Sequence, residues 1–222
     1  MLLLEAGSSN DDRNLRVDGK RWLTFQNKHM NWGYKTAPQS HCNGRELDYS
    51  RGKGVGGSSA INFAVYSVGA RGDYDEWARI VGDDAFQWTR IQERFKNLET
   101  FHGDLPAGID KKYANPKPSD HGSSGLLHVG FSSEWERDLP GMLDIFEGAG
   151  FPLNPDHNSG NPIGMSPFQN SCYQGLRSTA ADLLVPLPDN LTVVAETPVH
   201  RLILKGNRVV GVESNEKQCT ST

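Results

Sequence analysis

Cysteine is scarce in this chain. Cys42, Cys172 and Cys219 form an odd, widely spaced set, with no CxxC pair and no histidine at zinc-finger spacing. A disulfide scaffold and a structural zinc site are therefore not expected, and a reducing, cytoplasmic setting is the default. Positive charge is not in excess either: 23 Lys and Arg against 27 Asp and Glu give a formal net charge of −4. That removes the electrostatic footprint of a nucleic-acid binder. Long apolar runs are missing. The stretch Met1–Leu4 falls far short of the roughly 20 residues of a membrane span and is too short for a signal peptide. No membrane partner is expected. What remains is a chain of 222 residues, 36% hydrophobic and 23% charged, enough for one large domain or one and a half smaller ones. Its one compositional excess is glycine, 24 of the 222 residues against an average of roughly 7%, and the excess is clustered.

The chain opens on Met-Leu-Leu-Leu-Glu-Ala-Gly, residues 1 to 7, a short apolar run suited to a buried parallel strand whose neighbours lie elsewhere in the chain. Residues 8 to 50 read as irregular. After the glycines of 52 to 57, the spacing of Ile61, Ala64 and Val65 predicts a helix over 58–66. Further helices are predicted over 73–81, with acids in the first turn, over 89–101, through Ile91, Phe95 and Leu98, and over 139–149. Residues 103–125 and 150–174 read as loop, with a strand at 126–130 between them, and 177–184 as a short helix stopped by Pro186 and Pro188. The clearest β signal lies at the end, in runs 191–195, 200–204 and 209–212. The last two are joined by Lys205-Gly-Asn-Arg208, a hairpin signature. A polar tail follows over 214–222.

Gly52-Lys-Gly54-Val-Gly56-Gly57 matches the pattern G-x-G-x-x-G in letters, but the fingerprint needs a buried strand before it, and residues 46–51 are polar. Three readings stay open: a dinucleotide turn, a flexible loop, or a loop whose backbone approaches a flat ligand and is followed by a helix start with Ser58 and Ser59. Glu5 is the second clue. An acid ending the second parallel strand of a dinucleotide fold binds the ribose hydroxyls; one ending any strand can also simply meet water.

Taken together, Leu2-Leu-Leu-Glu-Ala-Gly7, the run Gly52-Lys-Gly-Val-Gly-Gly-Ser-Ser-Ala-Ile-Asn62, then Val65-Tyr66, Gly69 and Asp73-Tyr-Asp-Glu-Trp-Ala78 resemble the N-terminal half of a glucose-methanol-choline (GMC) oxidoreductase. Arg177-Ser-Thr-Ala-Ala181 is similar to a later segment of that family, and Leu191 to Glu213 to the strands closing its adenine pocket. The resemblance implies an α/β fold of mixed α+β character: a partial FAD-binding, Rossmann-like domain over 1–213, with part of a substrate domain in the loop-rich stretch 103–175. It implies an FAD-dependent oxidoreductase acting on CH–OH donors, with a small-molecule alcohol as substrate and hydride passing to flavin N5. By residue matching, Glu5 would hold the adenosine ribose. Gly54, Ser58 and Asn62, followed by Phe63, Ala64 and Val65, would lie along the diphosphate and isoalloxazine, and the main chain of Val199 would meet the adenine. Some members tether the flavin through a histidine just before the signature asparagine. That position is Ile61 here, so non-covalent FAD is expected.

Several family features have no counterpart. The first strand with its G-x-G-x-x-G is absent, as are the second signature and the C-terminal histidine that takes the alcohol proton. None of the seven histidines, at 29, 41, 102, 121, 128, 157 and 200, has a matching context. All read as surface or loop residues, and no catalytic residue is assigned. Leu2–Leu4 would then form an apolar strand short of a neighbour, and the chain is expected to bind FAD weakly or not at all, to turn over no alcohol, and to start downstream of its family's true beginning. Two other functions remain: a non-catalytic remnant acting as an interaction module, and an NAD(P)-dependent reductase built on Gly52–Gly57, which requires a buried strand over 46–51.

Overall fold

The computed structural model describes residues 1–214 and 218–220. In chain order its regular elements are β1 (Leu2–Leu4), α1 (Arg21–Gln26), α2 (Arg71–Val81), α3 (Trp88–Leu98), β2 (Glu99–His102), β3 (Leu127–Gly130), α4 (Leu139–Gly148), β4 (Cys172–Tyr173), β5 (Leu176–Arg177), β6 (Thr192–Val194), β7 (Val199–Lys205), β8 (Arg208–Ser214) and β9 (Gln218–Thr220). They fall into two compact units, Met1–Phe63 with Leu184–Thr222, and Ala64–Leu183. No described helix is long and apolar enough to cross a membrane.

In the first unit, β1 finds its neighbour at the far end of the chain. It pairs in parallel with β6, Leu2 opposite Thr192 and Leu4 opposite Val194. The ladder runs on past the strands, since the Glu5 amide donates to the Val194 carbonyl (2.9 Å) and the Glu196 amide to that of Gly7 (2.7 Å). Among the described residues β6 is the only strand beside β1, and Leu2 is exposed. The hairpin expected over residues 200–212 is β7–β8, with Lys205 opposite Arg208. Gly206 takes φ 61°, as the first position of a two-residue turn requires. The tail lies largely outside the described residues; Gln218–Thr220 pair with β8. The apolar core of this unit is small: Met30, Ala60 and Ile61, with Leu15 against them.

The second unit packs α2 and α3 through Tyr74, whose ring lies 5.8 Å from that of Trp88 and 6.4 Å from that of Phe95. Trp88 is buried, and its amide donates to Asp75 Oδ1 at 2.9 Å, which caps the start of α3 from α2. Parallel strands β2 and β3 follow, Glu99 opposite Leu127 and His102 opposite Gly130.

Four predicted elements differ. The 89–101 helix ends at Leu98, and Glu99–His102 form β2. The 58–66 helix is a single 3₁₀ turn over Gly57–Ala60: Ala64 takes φ 63°, a left-handed conformation no α-helix contains, and Val65 bridges to Asn170 instead. The helix predicted over 177–184 splits into β5 and a 3₁₀ turn over Ala180–Leu184. The Asp182 carboxylate accepts from the Thr179 amide (2.8 Å) and the Ser178 hydroxyl (3.0 Å), local bonds that compete with helix. Residues 8–50 also contain α1, which has no side-chain cap and buries Thr24 while exposing Trp22 and Leu23, the reverse of the usual pattern.

Candidate functional site

Glu5 and the glycine cluster, 49 residues apart, come together. Glu5 Oε1 accepts from the Gly7 and Gly54 amides, each at 2.8 Å, while Oε2 makes no hydrogen bond among the described residues. The second tie runs through Asn10. Its amide Nδ2 donates to the Val55 carbonyl (3.0 Å), the Ser8 hydroxyl donates to its Oδ1 (2.9 Å), and the Val55 amide donates to the Ser8 carbonyl (2.9 Å).

The glycines divide into two kinds. A Cβ on Gly7 would lie 2.5 Å from the Gly54 nitrogen, one on Gly52 would lie 2.2 Å from the Gly57 carbonyl oxygen, and one on Gly54 would lie 2.4 Å from Asn10 Nδ2. These three let protein backbone meet protein. Gly57, at φ +54°, has nothing within 4 Å of a Cβ and leaves an open face. Beside it, the Ser58 hydroxyl accepts from the Gly52 amide (3.0 Å), and the Ser59 hydroxyl donates to the Gly56 carbonyl (2.5 Å).

Of the other candidate residues, Asn62 is exposed and its amide donates to the Ser58 carbonyl (2.9 Å). Phe63 lies against two rings of the α1 helix, 4.6 Å from Trp22 and 5.7 Å from Phe25 between centroids. Val199 opens β7 and is exposed. These belong to the first unit with Glu5, Gly54 and Ser58. Ala64 and Val65 belong to the second, where the buried Ala64 receives the Ser171 amide on its carbonyl (2.8 Å) and Val65 is exposed. Gly7, Asn10, Trp22 and Phe25 escaped the sequence reading. The Glu-Ala-Gly spacing was a signal for Gly7, but Asn10 carries none.

Residues 46–51 form a largely exposed segment with one bridge, Lys35 to Asp48. The buried strand that a nicotinamide fingerprint needs is not there, so Gly52–Gly57 do not form the turn of an NAD(P)-dependent reductase.

The histidines need correction too. His121 and His157 lie in loops as expected but are buried. His121 stands between two acids, Nδ1 3.0 Å from Glu99 Oε1 and Nε2 3.1 Å from Asp156 Oδ2, and stacks on Phe101 at 3.9 Å. Burial alone would lower its pKa; the bonds to Asp156 and Glu99 outweigh this and push it up to about 9. Asp156 opposes burial in the same way and is held below the usual carboxylate range by His121. Asp156 Oδ1 also accepts from Gln169 Nε2 (2.9 Å) and the Asn158 amide (3.1 Å). His157 is lowered, chiefly by burial. This network braces the second unit, and no described cluster of three or more His, Cys, Asp or Glu could hold a metal.

Comparison with known proteins adds the following. The family model described as GMC oxidoreductase matches residues 17–222. An oxygen-dependent choline dehydrogenase of Stenotrophomonas maltophilia is 34% identical over 96% of this chain and 37% of its own length. Pyranose dehydrogenase 2 of Leucoagaricus meleagris is 33% identical over 93% and 35%. Among solved structures, pyridoxine 4-oxidase from Mesorbium loti superposes with a TM-score of 0.80 and 27% identity, covering 98% of this chain and 42% of that one. The chain thus spans little more than a third of the length of these curated relatives.

Proposed function

Because this chain belongs to the GMC oxidoreductase family, we propose that it is the FAD-binding portion of an oxidoreductase acting on the CH–OH group of a small-molecule alcohol. The observation that carries the reading is the Glu5–Gly54 contact. It ties a strand-end carboxylate, whose Oε2 makes no hydrogen bond among the described residues, to the loop that carries the open backbone at Gly57. Oε2 is then the acceptor for the ribose hydroxyls. Gly57 and Ser58 face the diphosphate, Asn62 and Phe63 the isoalloxazine, with Ala64 and Val65 following, and the Val199 main chain meets the adenine. Bound FAD supplies the hydride acceptor, flavin N5. Relatives named for choline, pyranose and pyridoxine support an alcohol donor as the substrate class.

FAD is held without a covalent bond at Ile61, since that side chain has no nucleophile and is buried among Met30 and Ala60. Binding by this chain is weak, because the glycines lead into a four-residue 3₁₀ turn, which has little of the aligned dipole that a longer helix offers a pyrophosphate. The chain alone is expected to turn over no alcohol, since none of its histidines has a matching context for the proton acceptor that such a step needs.

Titrating FAD against the purified chain and following flavin fluorescence tests the reading. Saturable quenching is expected with no flavin band in the protein as purified. Glu5→Gln, which keeps an oxygen for the Gly7 and Gly54 amides, should weaken FAD about tenfold through loss of a charge-assisted hydrogen bond. No saturable quenching would favour an interaction module without a cofactor, and equal affinity in Glu5→Gln would remove the ribose assignment.

A further inference from the structure

Two histidines with no part in cofactor binding stand nitrogen to nitrogen in the second unit. We propose that His102 and His128 form a metal site that takes one divalent copper ion, with water filling its remaining positions. No residue assigned to the cofactor belongs to this pair, so the site goes beyond FAD binding.

Three observations lead there. The first is the spacing. His102 Nε2 lies 2.9 Å from His128 Nδ1, one ring donating to the other according to tautomer. Two nitrogens each about 2.0 Å from one ion, at the right angle of a square-planar or tetragonal site, stand about 2.8 Å apart, whereas a tetrahedral angle would hold them about 3.3 Å apart. The observed separation suits copper(II), which favours tetragonal nitrogen sites and heads the divalent affinity order, over zinc.

The second is how the pair is built. His102 ends β2 and stands opposite Gly130 of β3, two residues beyond His128. A Cβ on Gly130 would lie 3.3 Å from the His102 Cβ, so glycine there lets the His102 ring lean back along the neighbouring strand. The Tyr173 ring of β4 lies flat on that of His102, 3.4 Å between centroids and 9° from parallel, and the His128 amide donates to the Ser178 hydroxyl at 3.1 Å. An ion bound by both nitrogens sits off the line between them, and His102 can swing toward it in its own plane without leaving the tyrosine.

The third is protonation. A ligating histidine must be neutral, and two imidazolium ions at this separation repel each other. Burial lowers the His102 pKa, and the neighbouring His128 lowers it further, against the opposite pull of Asp104. Lone pairs are therefore on offer at neutral pH. Each ring ligates as a neutral tautomer, so the ion replaces the shared hydrogen bond with no net release of protons from the pair. With no third side-chain ligand among the described residues, the affinity is that of a two-ligand surface site, below that of a structural metal centre.

Titrating Cu2+, Zn2+ and Mg2+ calorimetrically into the full chain, its accessible thiols blocked with iodoacetamide, tests this. One Cu2+ per chain is expected to bind, Zn2+ about tenfold more weakly, and Mg2+ not at all. His102→Gln and His128→Gln should each weaken Cu2+ at least tenfold, whereas His29→Gln, at an exposed histidine of the other unit, should leave it unchanged. Electron paramagnetic resonance of the copper-loaded chain needs no variant. Splitting of the copper signal by two ring nitrogens is expected, and splitting by one or none would overturn the site whether or not the variants fold. Cu2+ affinity unmoved in either His102→Gln or His128→Gln would overturn it as well, and Zn2+ binding as tightly as Cu2+ would overturn the copper assignment.

Discussion

Replacing His121 with alanine is expected to lower the unfolding free energy by about 3–5 kcal/mol at neutral pH, the cost of breaking a buried ion pair by removing one partner. The imidazole is the cation between Glu99 and Asp156, and all three side chains are nearly inaccessible. Without it two carboxylates remain in an interior that cannot solvate them. The direction with pH follows from the folded pKa of about 9 against about 6.5 unfolded. A raised pKa stabilises fully below about 6.5, and the gain is lost as pH rises through 9. The shift corresponds to about 3 kcal/mol, consistent with the truncation cost. Asp156, lowered in the fold, works in the opposite direction: its contribution is present above about 4 and lost as pH falls through its lowered value. Urea unfolding of the native chain should therefore show greatest stability between about pH 4 and 6.5 from this cluster. The His121→Ala variant should lack the decline from 6.5 to 9. Parallel curves for the two proteins across that interval would mean that His121 is not charged in the fold.

A second large effect is expected at Gly52. An alanine there would place its Cβ 2.2 Å from the Gly57 carbonyl oxygen and 2.5 Å from the Ser58 nitrogen. Both are backbone atoms, so the loop must open. The hydrogen bond from the Gly52 amide to Ser58 would be lost with it. A cost of about 3 kcal/mol, at the upper end for overpacking, is expected, together with loss of FAD quenching. Gly57→Ala is the control within the same loop. Open space surrounds it, and only its positive φ resists substitution, for about 1–2 kcal/mol. Denaturant midpoints of the two variants should differ clearly. If they coincide, the packing of residues 52–58 is not as described.

How far these features could be read in advance depended on how local their causes were. Helix α2 and helix α4 were legible to within a residue or two, because acids, apolar spacing and flanking glycines all act within a few positions. The 58–66 segment had the spacing of a helix, yet Ala64 adopts φ 63° while its carbonyl is held by Ser171, a partner 107 residues away that no window of sequence reveals. Glu5 and Gly52–Gly57 were legible as candidates only through family resemblance; which glycines meet protein and which stay open required their neighbours in space. The Glu99–His121–Asp156 cluster left no motif, its members standing 22 and 35 residues apart, and so a charged core histidine looked like an ordinary loop residue. Helix α1 was missed because it buries threonine and exposes tryptophan, which inverts the periodicity used to find helices.

The pairing of β1 with β6 also bears on how the chain is made. The second unit is one continuous stretch, Ala64–Leu183, and can assemble as soon as it leaves the ribosome. The first unit cannot, because Leu2–Leu4 have their partner at Thr192–Val194. At roughly 5–20 residues per second, the strand Leu2–Leu4 waits about 10–40 seconds for that partner. Throughout this interval Leu2–Leu4 are an apolar strand without its pairing edge, while the continuous unit has all of its own residues available to fold.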